Sequence, residues 1–190
     1  FGDTKDVIEA YENDLHVERA SKFDFTDVQK HDQDSDIEIT KIEILSLTGE
    51  KQNYYFSDQC VKIQVYYVAY RDFPKINMSV FVIRSDGLTC FMLRTKLHNF
   101  NLDVKRGVGT VAVNLEPLQL ITGMYFIEAW FLDEADSMSI TPRGGRSDWF
   151  AVKGYTRSYE DSSGVYQPIA KWEHIPSISV DGENCVKLGS

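Results

Sequence analysis

The stretch GMYFIEAWFLDEADSMSITPRGGRSDWFAV, residues 123–152, carries the pattern from which the rest of the chain is read. Two apolar runs flank a loop rich in Gly and Arg, with Trp130 before the loop and Trp149 after it. Each run reads as a strand, whose side chains leave the backbone on alternate faces. With Tyr125, Ile127, Ala129 and Phe131 facing a core, Phe126, Glu128, Trp130 and Leu132 face outward. By the same alternation Phe150 and Val152 point inward, and Trp149, Ala151 and Lys153 point outward. The two tryptophans are therefore expected to face away from the core.

Outward from this stretch the period of two continues. IEITKIEILSL (37–47), CVKIQVYYVAY (60–70), KINMSVFVIRS (75–85), LTCFMLRTK (88–96) and GTVAVNL (109–115) read as strands. So do GMYFIEAWFL (123–132), SDWFAVKG (147–154) and GVYQPIAKW (164–172), with SISV (177–180) as a short ninth. The turn signals TGE, SDG, RGVG and PRGG separate them. Pro74, Pro117, Pro142 and Pro176 are expected at or beyond strand edges, where a missing N–H interrupts no ladder. Many short strands without alternating helices predict an all-β fold, an immunoglobulin-like or jelly-roll β-sandwich. The Gly two residues before Tyr125 resembles the tyrosine corner of such sandwiches, whose hydroxyl bonds back to upstream backbone.

Residues 4–15, TKDVIEAYENDL, break the period: Val7, Ile8, Tyr11 and Leu15 lie on one helical stripe, and Asp3 or Thr4 can cap the start. Residues 16–36 read as an acidic linker. The expected organisation is thus a helix at 1–15, a linker at 16–36 and a sandwich at 37–190. The chain does not begin with Met, which predicts a piece of something longer.

Charge follows these boundaries. Residues 1–38 hold 12 acidic and 4 basic side chains, and the rest hold 17 and 16. The sandwich is near neutral and lacks the basic stripe that phosphate neutralisation demands, so nucleic acid is not an expected partner. Cys60, Cys90 and Cys185 are odd in number and have no metal-type spacing, which fits free thiols in a reducing compartment. No apolar run approaches the roughly 18 residues of a membrane span.

No GxSxG, GxxxxGK[ST], HExxH or GxGxxG stands in the chain, and His16, His31, His98 and His174 are scattered. Asp32, Asp34 and Asp36 alternate as in a calcium loop, but Ile37 occupies the position where the sharp turn needs Gly. No metal site is expected. A glycan-modifying enzyme needs two carboxylates across a cleft, and Glu128 is the one carboxylate placed on a candidate face.

An outward Phe126, Glu128 and Trp130 beside Trp149 make an aromatic, hydrogen-bonding face. Sugars suit such a face, stacking C–H surfaces on rings while carboxylates and guanidinium groups bind hydroxyls. Trp130, Trp149, Glu128 and Arg94 are the expected carbohydrate contacts. Arg143 and Arg146 in the overhanging loop suit a carboxylate or phosphate. A rival face lies on the strand at 60–70, where Lys62, Gln64, Tyr66 and Tyr70 alternate with apolar residues. A protein-interaction or dimerisation sandwich, its tryptophans buried against another chain, is the alternative to glycan binding.

The order of features resembles a known family. GDTKDVIEAYENDL is similar to the last helical stretch of the nucleotide-binding subunits of polysaccharide ABC exporters. The strands resemble the C-terminal domain of the Wzt type of these subunits, which serve O-antigen export. The match is carried by TGEKQNYYFSDQCVKIQVYYVAY, FVIRSDG, LEPLQLITGMYFIEAWF, DWFAV and GVYQPIAKW, the last running from Gly164 to Trp172. DSMSITPRGGRSD departs from the pattern, being longer and more basic. The resemblance implies a non-enzymatic carbohydrate-binding module that recognises the capped non-reducing end of the lipopolysaccharide O-polysaccharide and so licenses its export. It also implies a homodimer, formed in some family members by exchange of a C-terminal strand, for which IPSISV is the candidate here, and partnership with the exporter's transmembrane subunit. The implied location is cytoplasmic, peripheral to the bacterial inner membrane. No cofactor is expected in this chain, ATP and Mg being bound by an upstream ATPase domain.

Overall fold

Strand β3 (Val61–Ala69) shows how the sequence makes the fold: Val61, Ile63, Val65, Tyr67 and Ala69 are buried, and the residues between them are half-buried. β-Branched and aromatic side chains suit a pleated surface buried on one face, so period two becomes a strand with an apolar side. In the computed structural model, which describes residues 35–154, 164–166, 168, 170 and 172, the described chain is all-β. The helix expected at 4–15, the linker up to residue 34 and the strand expected at 177–180 lie outside the described residues.

Two sheets form. In the smaller, β3 lies between β1 (Ile37–Ser46) and β7 (Gly107–Leu115), antiparallel to both. In the larger the order is β2 (Tyr54–Phe56), β10 (Phe150–Lys153), β8 (Gly123–Leu132), β4 (Phe73–Arg84) and β5 (Thr89–Arg94). β2 and β10 pair in parallel, whereas β10–β8, β8–β4 and β4–β5 are antiparallel. Two short pieces, β6 (Leu102–Val104) and β9 (Gly145–Arg146), attach to β4 and β8.

The inner faces share one core, in which Ile63, Val65 and Tyr67 join Val80, Val82, Ile127 and Phe131. The rings of Tyr67 and Phe131 meet edge to face at 5.3 Å, a favoured aromatic geometry. Tyr67 pairs with Gly109 across the smaller sheet, and any Cβ at Gly109 would collide with the Tyr67 ring. Glycine there leaves the tyrosine room to lie across β7.

Tyr125 forms the expected corner. Its hydroxyl donates to the carbonyl of Ile121 at 2.8 Å, four residues upstream. Its ring stacks on Phe150 at 5.9 Å. Burial pushes the phenol far above its ordinary value, so it stays a donor. Tyr125→Phe strands a buried carbonyl and should cost about 1–3 kcal/mol. A lower urea midpoint at unchanged m-value is the expected reading, and an unchanged midpoint would contradict it.

Three differences from the expected strands have local causes. β10 begins at Phe150, not 147, because Ser147 leaves the ladder: its N–H donates to Ile127 O, and its Oγ accepts from Ile127 N. β2, β6 and β9 are two or three residues long, too short to show a period. Pro74 lies inside β4, not at its edge, opposite an irregularity between Phe73 and Ile76 where no ladder bond is needed. Within 164–172 the described pairing is a single bridge, Leu120 to Tyr166.

Candidate functional site

The outer face of the larger sheet brings most of the expected residues together. Along β4 the core takes Met78, Val80 and Val82, which leaves Asn77, Ser79, Phe81 and Ile83 on the outside. Register then places Phe126 beside Ile83, Glu128 beside Phe81, and Trp130 beside Ser79. Across β5, Arg94 pairs with Ser79 and Met92 with Phe81. Arg146 of β9 stands opposite Glu128.

Two clusters emerge, about 13 Å apart by four residues of strand rise along β8. In the first, the Arg146 guanidinium lies 3.6 Å from the Phe126 ring centroid and 5.6 Å from that of Trp149. The Phe126 and Trp149 rings meet edge to face at 4.8 Å. Phe126 was expected to be open on this face; it has the outward parity but is only 6% exposed. The cause is the bulge at Ser147, which sets Trp149 over it while β9 supplies Arg146. A guanidinium stacked on rings keeps its N–H fork directed along the ring plane.

The second cluster holds Trp130, Ser79 and Arg94. Arg94 donates from Nη1 to Asp136 Oδ2 at 2.9 Å and from Nε to Met92 Sδ at 3.2 Å. Ser79 is 1% exposed although it points away from the core, so its neighbours cover it. Ser79 Oγ and Asp136 Oδ1 are both buried without a hydrogen-bond partner among the described residues. Each such orphan costs about 1–3 kcal/mol. Polarity is left over beside Arg94.

The Gly- and Arg-rich loop does overhang this face, but by lying on Trp130. Gly144 has φ +62, and a Cβ there would come within 2.7 Å of the indole and 2.9 Å of the Ala129 carbonyl. The loop backbone therefore covers part of the ring, leaving Trp130 half-buried. Arg143, at the loop's crest, is exposed and makes no side-chain hydrogen bond or ion pair among the described residues.

On the rival face, carried by the smaller sheet, Lys62, Gln64 and Tyr66 are outward as expected. Their neighbours satisfy one another. Lys41 Nζ lies 2.6 Å from Glu43 Oε1 and 5.8 Å from the Tyr66 ring centroid. Tyr70 is exposed beyond the strand end, 3.4 Å from Glu38. The hydrogen bond from Lys41, then that from Tyr66, hold the Glu43 carboxyl below its ordinary 4.5. A depressed carboxylate stabilises the fold above its unfolded value and loses that contribution as pH falls through the folded one. Glu43→Gln should therefore flatten the fall in melting temperature between about pH 5 and about pH 3. An unchanged acid slope would contradict the pairing.

Of the expected contacts, Arg146 and Trp149 lie in the first cluster, Trp130 and Arg94 in the second, and Glu128 between them. The structure adds three residues to these: Phe126 as a covered platform, Ser79 and Asp136. Asp136 lies 42 residues from Arg94, and nothing local marks the pair. The described residues contain no group of three His, Cys, Asp or Glu side chains able to hold a metal. No helix among them is long and apolar enough to cross a membrane.

This fold has a counterpart among solved structures. The chain is similar to the crystal structure of the C-terminal domain of Wzt, with 19% identity and a TM-score of 0.59 over 74% of this chain and 85% of that one. Lesser likenesses include the CARDB domain of a Pyrococcus furiosus protein in complex with di-metal ions. It has 14% identity and a TM-score of 0.37, over 62% of this chain and 93% of that one. Another is a Niemann-Pick type C2 protein from the Japanese carpenter ant, with 12% identity and a TM-score of 0.42 over 60% and 91%. No curated protein sequence matches the chain. The Wzt C-terminal domain profile matches residues 28–141, well over half of the sequence, and the chain belongs to that family.

Proposed function

We propose that this chain is a non-catalytic glycan-binding module that holds the modified non-reducing terminus of an O-polysaccharide and licenses its export. The observation that carries the reading is the stack of Arg146 on Phe126 beside Trp149, with Glu128 opposite Arg146 on the same face. Rings, a carboxylate and guanidinium forks on one surface suit sugar C–H faces and hydroxyls together. Membership of the Wzt C-terminal domain family supports the same reading.

In this account Trp149 and Trp130 stack on sugar rings, Glu128 and Arg94 bind hydroxyls, and Arg143 and Arg146 receive a carboxylate or phosphate on the cap. The module works in the cytoplasm as part of an ABC exporter's nucleotide-binding subunit. It reaches the inner membrane through the exporter's transmembrane subunit, and ATP and Mg belong to the upstream ATPase domain. Calorimetry against the source organism's O-polysaccharide, with its terminal cap and after the cap's removal, tests this. Heat of binding with the capped polymer alone is expected. Equal binding of both polymers, or of neither, would overturn terminus recognition.

A second reading, an interaction sandwich that binds no glycan, draws on β7, whose Val108 is 83% exposed. A homodimer is compatible with both. Its exchange through IPSISV rests on residues outside the described part of the chain.

A further inference from the structure

The same outer face continues beyond Trp149 onto β2. Tyr54 and Phe56 alternate with Tyr55, which is fully buried and donates its hydroxyl to Ile44 O at 2.6 Å. That anchor turns the other two rings outward, where they are 40% and 50% exposed. They meet edge to face at 5.4 Å, and Lys153 Nζ sits 4.0 Å from the Tyr54 centroid. Register carries the face across the sheet, from Tyr54 to Ala151 and from Ala151 to Met124, two residues before Phe126.

Beside these rings is an open cleft of ≈560 Å³, lined also by Lys51, Gln52, Asn53 and Gln59. Lys51 Nζ binds Asp148 Oδ2 at 2.9 Å, tying the cleft's rim to the residue next to Trp149. Gln59 Nε2 donates to Gln52 Oε1 at 2.9 Å, so the amides are pre-ordered against each other. Exposed paired rings and ordered amides suit a neutral, hydroxyl-rich chain, with Lys51 neutralised by Asp148 and Lys153 drawn onto the Tyr54 ring. Tyr54 lies two strands from β8, about 10 Å away, a span that a single terminal sugar does not bridge.

We propose that the cleft at Tyr54 and Phe56 is a second saccharide subsite, occupied by the neutral residues that precede the recognised terminus. The proposal rests on the glycan reading above. The site then grips the polymer at its end and along its body, so affinity depends on chain length as well as on the cap.

The test uses capped oligosaccharides released from the source organism's O-polysaccharide and sized as one or several repeats, titrated calorimetrically against the chain and a Tyr54→Ala/Phe56→Ala variant. The longer capped fragment should bind the unmodified chain roughly tenfold tighter than the shorter one. The variant should lose that advantage while binding the shorter fragment unchanged. Because Tyr55 stays in place, its melting temperature should hold. Equal affinity for both lengths, or a variant that keeps the length advantage, would overturn the subsite while leaving terminus recognition standing. A chain that binds neither fragment would overturn both.

Discussion

Phe131→Ala is expected to lower the free energy of unfolding by about 3–5 kcal/mol. Phe131 is fully buried on the inner side of β8, edge to face with Tyr67 of the opposite sheet. Its removal takes away apolar burial and leaves a cavity that two close-packed sheets fill only in part. Folded domains are stable by about 5–15 kcal/mol, so this loss is a large share of the total. Urea denaturation should show a markedly lower midpoint. A loss below about 1 kcal/mol would mean that the ring does not join the two sheets.

Trp130→Ala, one residue away, is expected to spare the fold and act on binding instead. The side chain points outward, half-buried under the Gly144 backbone, and its removal opens the outer face without touching the shared core. Cooperative melting should survive, with a cost of about 1 kcal/mol. Glycan affinity should fall at least about thirtyfold, as when a central aromatic anchor is lost from an interface. Trp149→Ala should fall similarly, since it also removes the ring beside Phe126 and a partner of Arg146. Loss of the cooperative melt in either variant would show that the tryptophan is structural. Retained affinity would remove it from the site.

The contrast between these neighbours was legible in the sequence. The inward set Tyr125, Ile127, Ala129 and Phe131 is fully buried, and the alternation in β3 is equally regular. Side-chain period is a local property, set by the pleat of one strand. What covers an outward residue is not local. Phe126 has outward parity yet is buried, because Arg146 and Trp149 arrive from twenty residues later through a bulge. Trp130 reads as open, but the positive φ of Gly144 folds the loop onto it. The pairing of Arg94 with Asp136 depends on where the 133–138 turn sits in three dimensions. β2 and β9 gain their order from neighbours rather than from a pattern of their own.

The most direct measurement is the intrinsic tryptophan fluorescence of this chain, titrated with its source organism's O-polysaccharide, with and without the terminal cap. Trp130 and Trp149 are half-buried on the proposed face, so a bound sugar would change their surroundings. A saturable change with the capped polymer alone is expected, reduced in the Trp149→Ala variant. No change with either polymer, together with no heat of binding, would contradict the glycan reading and favour the interaction reading.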